Sequence, residues 1–424
     1  METRPRVLVV SNNGFSLSNS NGRTLGLLFK GWPKDRLAQF CFNTDGPLWD
    51  VCNNYFCVSD ADALWSLFHL HPVSRNDLTG RKEDGKTTRL QIPRTALFSI
   101  LRHLVWELGV WRGKCFYSWL DSFSPEVVMI QSGDTAFPHN LARRIARRYN
   151  AKLVFFNTEG IYYLKKNYFY PGILDGFFFP LYNYIFKKAY SRAMNSASFC
   201  FYLHEQIQQD NDRCFNVPSC VIYTSSSLDP SDKPFNVSHP VFSYFGNFAF
   251  NRGDAIIEIA SFLQEVNKAF CINVYGKATP ELEDKFNLME GINYHGFLPY
   301  SQIQDIIKES DILLHVESHD ERYAENLRYG FSTKIADCLA SGRSFILYSP
   351  SDIACFKYIQ RNKCAWATSD KSSFINAVNS IINNSEERDT RIKIAKEVAN
   401  RNHCLDKNVS RFQSLLSEVC HKRN

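Results

Sequence analysis

Short apolar runs recur along the chain, each closed by a polar stretch and followed by residues with helical spacing. Val7-Leu8-Val9-Val10, Val127-Val128-Met129-Ile130, Leu153-Val154-Phe155-Phe156 and Val221-Ile222-Tyr223-Thr224 are the runs of the first half. Val241 to Phe245, Cys271 to Tyr275, Ile312 to Val316 and Ser344 to Tyr348 repeat the pattern in the second. Runs of this length without polar alternation are read as strands buried on both faces. Their alternation with helical stretches through 241–400 predicts a parallel sheet covered by helices. A chain of 424 residues suits two such units. The expected organisation is α/β: two Rossmann-like parallel-sheet domains at 1–228 and 229–404, facing across a cleft. Ser225 to His239, rich in Ser, Asp and Pro, reads as the linker between them. Residues 405–424 form a polar helix with Phe412, Leu415, Leu416 and Val419 on one stripe, suited to packing back on the first domain.

Within the first half, Ser11 to Arg23 reads as a loop leading to a helix that begins near Thr24. Residues 71–90 carry almost no apolar periodicity and read as a mobile surface loop. Leu97 to Trp111 has helical spacing of Leu, Ile, Val and Trp, which core packing accounts for. A helix from about His139 to Tyr149 carries Arg143, Arg144, Arg147 and Arg148 as a basic face, solvated or touching lipid phosphates. Tyr168 to Phe186 is aromatic, nearly uncharged and bracketed by Lys165-Lys166 and Lys187-Lys188. Two prolines and two glycines interrupt it, so it reads as a surface dipping among headgroups or as a core helix with its loop, not as a bilayer span.

Charge divides the halves. Residues 1–225 hold 26 Lys and Arg against 18 Asp and Glu, whereas the remainder holds 23 against 25. A basic first half suits an anionic membrane surface or a phosphorylated acceptor, and a solvated basic face is the commoner meaning. Nucleic acid is not expected, since no zinc-finger spacing or aromatic-basic signature accompanies the charge. The thirteen cysteines lack any Cys-x-x-Cys pair, and many lie in apolar runs, so they read as reduced core residues. With no signal-peptide pattern in the first residues, the expected location is cytoplasmic, peripheral on the inner face of a membrane.

Candidate chemistry gathers at strand ends. Gly330-Phe331-Ser332-Thr333-Lys334 precedes a helix ending at Gly342, and Ser332 and Thr333 are suited to cap that helix where a phosphate would sit beside Lys334. Asp337, one turn on, suits sugar hydroxyls; an ordinary capped core helix is the competing reading. Asn247, Arg252 and Lys277 also lie just beyond inferred strands, so three cations are expected to converge on a diphosphate leaving group. In the first half, Gly22 and Arg23 offer close backbone approach and a charge for phosphate. Asp134 and Glu159 follow neighbouring strands, where ligands bind in parallel sheets, and either a general base or a loop-capping acid fits them. Asp60-Ala-Asp62 and Asp210-Asn-Asp212 match the Asp-x-Asp pattern that some sugar transferases use for a divalent ion, but one or two chance matches are expected at this aspartate content; no metal and no cofactor is expected.

Tyr244-Phe245-Gly246-Asn247, Arg252-Gly253, Val274-Tyr275-Gly276, His295-Gly296-Phe297-Leu298-Pro299 and Gly330 to Gly342 together resemble the carboxyl domain of GT-B glycosyltransferases. The retaining family-4-like branch of bacterial polysaccharide synthesis is the nearest pattern, and Ser11 to Arg23 with Asn157-Thr158-Glu159 resembles its amino domain. The resemblance implies a UDP- or GDP-linked sugar donor held by the second domain and a glycan or lipid-linked oligosaccharide acceptor held by the first. It places Arg252 and Lys334 at the diphosphate and Asp337 on the second acid of a Glu-x7-Glu motif, at the ribose. The first acid falls on Tyr329, a departure for which Glu317, Glu321 and Glu325 are upstream substitutes. A nucleotide-sugar epimerase of the same build and a non-catalytic glycan-binding or scaffold protein are the alternatives.

Overall fold

The computed structural model describes residues 4–16, 20–43, 50–69, 95–166 and 173–421. The expected loop at 71–90 and the start of the aromatic stretch at 168 lie outside them. The chain divides into two compact units, one of residues 1–222 with 406–424 and one of residues 223–405.

The first unit is built on seven parallel strands: β1 (Val7–Asn13), β2 (Leu37–Asn43), β3 (Tyr55–Cys57), β4 (Val127–Ser132), β5 (Lys152–Asn157), β6 (Phe199–Tyr202) and β7 (Ser219–Val221). Their order is β3-β2-β1-β4-β5-β6-β7, so the winding reverses between β1 and β4. Both faces are covered, which is why the strand sequences are continuously apolar. On one face Val7, Val9 and Met129 pack with Leu25, Phe29 and, from the helix Leu405–His421, Phe412 and Leu416. On the other, Phe40 and Phe42 meet Trp106, Trp111, Phe116 and Phe137 ring against ring.

The second unit holds β8 (Phe242–Phe245), β9 (Ile272–Tyr275), β10 (Ile292–Gly296), β11 (Ile312–Val316), β12 (Ser344–Tyr348) and β13 (Trp366–Thr368), all parallel, in the order β10-β9-β8-β11-β12-β13. Its winding reverses between β8 and β11. Ile256, Ile259 and Leu263 of the helix Arg252–Val266 and Phe374, Val378 and Ile381 of Lys371–Asn383 close one face over Val274, Leu314 and Ile346.

Several local expectations change. The first helix runs Ser20–Leu28, so Gly22 and Arg23 lie in its first turn and not in a loop. Short polar residues serve a helix start as well as a turn, and pattern alone does not separate the two. The helix expected from His139 runs Ala136–Arg148, because Pro138 in a first turn forfeits no helical hydrogen bond. Ser225 to His239 is no loose linker: Ser226 N donates to His403 O (2.9 Å), Ser231 N to Ser341 O (2.7 Å) and Asn236 N to Asp311 Oδ1 (3.0 Å). Cys41 and Cys57, in register on β2 and β3, form a disulfide, against the expectation of uniformly reduced thiols; the other eleven cysteines are free.

Candidate active site

In parallel α/β sheets the ligand crevice lies beyond the carboxyl ends of the strands where the winding reverses. In the second unit that place is the end of β8 and β11. Gly246 follows β8, and a Cβ there would lie 2.8 Å from both Lys334 Cε and Tyr244 Oη, so glycine lets the lysine lie across the backbone. Gly276, after β9, is pressed against Gly246 so closely that a Cβ would fall 2.1 Å from its carbonyl oxygen. Phe250 and Asn251 both have φ of +58°, a strained setting for a bulky side chain, immediately before Arg252 opens its helix.

Arg252 is the centre of this cluster. Its Nε and Nη2 donate to Glu317 Oε2 at 2.8 and 2.7 Å, and its Nη1 donates to Asn247 Oδ1 at 2.8 Å. The other Glu317 oxygen accepts from His315 Nε2 at 3.1 Å. Glu317 is 2% exposed and Arg252 13% at the side chain. Burial alone would push the Glu317 carboxyl up, but Arg252 and the His315 hydrogen bond hold it below the usual range. His315 is lowered by burial and is neutral, so its Nε2 carries the proton given to Glu317. Lys334, half-buried, is pushed down to about 8 by burial and the neighbouring Arg252 charge. The result is two cations side by side, with one carboxylate neutralising part of their charge.

The remaining predicted donor residues divide. Thr333 stands at the N-cap and makes no side-chain cap bond, while Ser332 Oγ, one residue before it, accepts from Lys334 N at 3.4 Å. Gly330 N donates to Leu327 O at 2.7 Å and closes the short helix Ala324–Arg328. The side chain of Phe331 turns away into an aromatic cluster with Tyr223 (5.5 Å) and Tyr358 (5.2 Å). Asp337 is buried and accepts at Oδ1 from Ser226 Oγ (2.6 Å) and Tyr300 Oη (2.9 Å). Lys277 is exposed beyond β9. Tyr329 is buried under the Arg328 guanidinium. Of the upstream acids, Glu317 belongs to the arginine clamp; Glu321 and Glu325 sit on the exposed or half-exposed turn beyond it.

The corresponding edge of the first unit is uncharged beneath and acidic on top. β4 and β5 are in register at Ser132 and Asn157, so Asp134 and Glu159, each two residues further and exposed, emerge from adjacent strands. Asp134 Oδ1 accepts from Thr135 Oγ1 at 3.1 Å, whose oxygen accepts in turn from Arg102. Below them Ser132 Oγ lies 3.0 Å from His139 Nε2, and His139 Nδ1 lies 2.9 Å from the Thr135 carbonyl. Since a carbonyl only accepts, Nδ1 carries the proton and Nε2 accepts from the serine. Burial pushes His139 down to about 4, so the ring is neutral. Asn157 Nδ2 donates to Tyr190 Oη (2.8 Å), which donates to Asn211 Oδ1 (2.9 Å). Asn157 Oδ1 and Thr158 Oγ1 are buried without a hydrogen-bond partner. His139, Ser132, His315 and the clamping role of Glu317 were not foreseen; the signal for each was only a polar residue inside or next to an apolar run.

The carboxylates of the Asp-x-Asp matches are hydrogen-bonded within the protein. Asp60 accepts from Arg102 and Trp106, Asp62 from Ser59, Asp210 from Arg213 and Asp212 from Ser219. Among the described residues no three His, Cys, Asp or Glu side chains converge to hold a metal ion.

Two parallel sheets of seven and six strands, each with its helices, constitute the fold of the GT-B glycosyltransferases. No protein-family model matches the sequence, and no curated protein matches it. Solved structures do. HepE from Anabaena, in complex with UDP, superposes with a TM-score of 0.62 at 12% identity over 97% of this chain and 100% of that one. Sucrose-phosphate synthase from Thermosynechococcus elongatus gives 0.63 at 11% identity over 98% and 99%. The lipopolysaccharide outer core galactosyltransferase WaaB, in its apo form, gives 0.53 at 13% identity over 96% and 98%.

Proposed function

We propose that the protein is a glycosyltransferase that moves a sugar from a nucleotide diphosphate sugar to a lipid-linked glycan in cell-surface polysaccharide synthesis, with retention of configuration and without a metal. The Arg252 and Lys334 pair beyond β8 and β11 carries this reading. Two half-buried or buried cations beside one carboxylate suit a dianionic diphosphate, whose charge grows as the sugar C1–oxygen bond breaks. HepE is a structural neighbour that has been seen with UDP and with UDP-glucose, which supports the donor class.

In this reading Glu317 aims the arginine, and Asn247 fixes its third nitrogen. Lys334 meets the phosphate as a point charge, while the Gly330 to Thr333 backbone lies alongside. The acceptor hydroxyl bonds to the sugar as its own proton leaves, and Asp134 or Glu159 orients or accepts that proton. Asp337 contributes to the nucleotide side by holding Ser226 and Tyr300 in place.

Calorimetry with UDP, GDP and their sugars tests the donor site, and release of nucleoside diphosphate with acceptor lipids tests transfer. Binding and acceptor-dependent release are expected. Turnover of the nucleotide sugar without an acceptor would indicate an epimerase, and binding without turnover on any acceptor would indicate a glycan-binding protein. Failure of every nucleotide sugar to bind would remove the reading.

A further inference from the structure

Thirteen large apolar residues among those described are exposed, and ten of them lie on three helices of the first unit. Isolated exposed leucines need no explanation, but a contiguous set does. The helix Asp60–His69 presents Leu64, Trp65 and Phe68, the last 75% exposed. The helix Ala96–Leu108 buries Ala96, Ile100 and Trp106 and presents Phe98, Leu101, Leu104 and Leu108 on its other side. The helix Ile173–Met194 buries Phe186, Ala189 and Tyr190 and presents Phe177, Leu181 and Tyr184.

These three helices touch. Arg102 Nε and Trp106 Nε1 both donate to Asp60 Oδ1, and Ala96 N donates to the buried Asp175 at 2.7 Å. The outward stripe at 98, 101, 104 and 108 therefore lies between two neighbours that are also apolar on the outside. Core packing, the expectation for the stretch from Leu97, accounts for the inner side alone.

Charge selects the occupant. On the helix Ile173–Met194 the same outward stripe runs on from Phe177, Leu181 and Tyr184 to Lys188 and Arg192, both exposed. Lys188 Nζ lies 5.3 Å from the centre of the Tyr184 ring, at the edge of the apolar set. This helix and its neighbour Ala136–Arg148 together carry seven Lys and Arg against one acid, Asp175, which is buried. Arg144 and Arg148 are answered by Glu107 and Asp121, and Arg143 feels the charges of Arg147 and Arg192 beside it. The acids of the three helices are already engaged, Asp60 by Arg102, Asp62 by Ser59, Glu107 by Arg144 and Asp175 by the Ala96 amide, so a second copy docked symmetrically would bring this cationic border near itself with no unengaged acid on those helices to meet it. Phospholipid headgroups supply the missing anions, and the acyl boundary accepts the Phe, Leu, Trp and Tyr side chains.

We infer that the outer face of the helices Asp60–His69, Ala96–Leu108 and Ile173–Met194 is a docking surface for an anionic phospholipid bilayer, with the apolar residues inserted and Lys188 and Arg192 on the headgroups. Among the described residues no helix is long and apolar enough to cross a membrane, so attachment here is to one leaflet. This inference does not depend on the sugar-transfer reading.

The experiment is cosedimentation of the full chain with phosphatidylcholine vesicles, with and without phosphatidylglycerol. Binding to the mixed vesicles is expected, and little to phosphatidylcholine alone. Replacing three exposed residues together (Phe68→Ser, Leu104→Ser, Phe177→Ser) lowers the partition coefficient on the mixed vesicles by about tenfold or more. Lys188→Glu with Arg192→Glu lowers it by about tenfold on the anionic vesicles alone. An unchanged thermal midpoint and an unchanged far-UV circular dichroism spectrum show that the variants fold. The inference is overturned if the wild-type chain stays in the supernatant with mixed vesicles, or if the triple variant binds as the wild type does. A wild-type dimer that the triple variant breaks, with vesicle binding absent, assigns the face to a second copy instead.

Discussion

The two strand-end edges are built alike and charged differently. In each unit the edge lies where a parallel sheet reverses its winding, and a histidine is buried beneath it and hydrogen-bonded to a polar partner. In the second unit the partner is Glu317, which also holds Arg252 beside Lys334; in the first it is Ser132, within a layer of neutral hydroxyls and amides. A sheet edge thus acquires its ligand class from the few polar side chains under it. Ionic groups there suit a diphosphate, and neutral hydrogen-bonding groups suit the hydroxyls of a sugar.

The largest effect is expected from dismantling the ionic edge. Glu317→Ala leaves a buried arginine uncompensated and should destabilise the protein by about 3–5 kcal/mol in denaturant titration, whereas Glu317→Gln keeps part of the hydrogen bonding and costs less. Equal losses for the two would show that the charge alone, and neither size nor the remaining hydrogen bonds, matters there.

The neutral edge should be acid-sensitive. His139 titrates near 4 when folded and near 6.5 when unfolded, so the unfolded state takes up the proton first. Stability is then full above pH 6.5 and falls by roughly 3 kcal/mol as pH drops toward 4, and His139→Gln should flatten that part of the curve.

Lys334→Ala should weaken UDP binding by about 2 kcal/mol, some 30-fold, in calorimetry, since a charge-assisted contact is lost. Unaltered affinity would take the lysine out of the donor site. With Lys334 lowered to about 8, UDP affinity should decline as pH rises through 8, where the free protein loses the proton that the phosphate requires. Binding in that window should take up a proton, visible as a heat that changes with the buffer's ionisation enthalpy; Lys334→Arg should abolish both effects.

The smallest effect belongs to Thr158→Val. Its hydroxyl is buried with no partner, so removal should leave stability within about 0.5 kcal/mol, while Ser132→Ala, which breaks the bond to His139, costs about 1 kcal/mol. If Thr158→Val nevertheless lowers acceptor-dependent turnover, the unanswered hydroxyl serves the acceptor.

Much of this frame was legible in the chain. Buried parallel strands need unbroken apolar runs, so Val7 to Val10 and Ile312 to Val316 announce themselves, and the residues just past them fall at the ligand edge whatever the details. Arg252 and Lys334 were legible for that reason, and the structure brings them together. Sequence reading went astray where a residue's role depends on the side it faces. Phe331 stands in a polar glycine-containing loop and turns into an aromatic cluster.

The sequence by itself determined the strand-and-helix alternation, the polar strand ends and the basic bias of the first half, because these depend on local spacing and composition. Only the tertiary structure decided that Glu317 clamps Arg252, that His139 and His315 are neutral, and that the leucines of Ala96–Leu108 look outward. Each of those depends on which elements are neighbours: burial removes water and shifts a proton, adjacency of β8 and β11 pairs two charges 65 residues apart, and a helix apolar on both sides finds a core for only one of them.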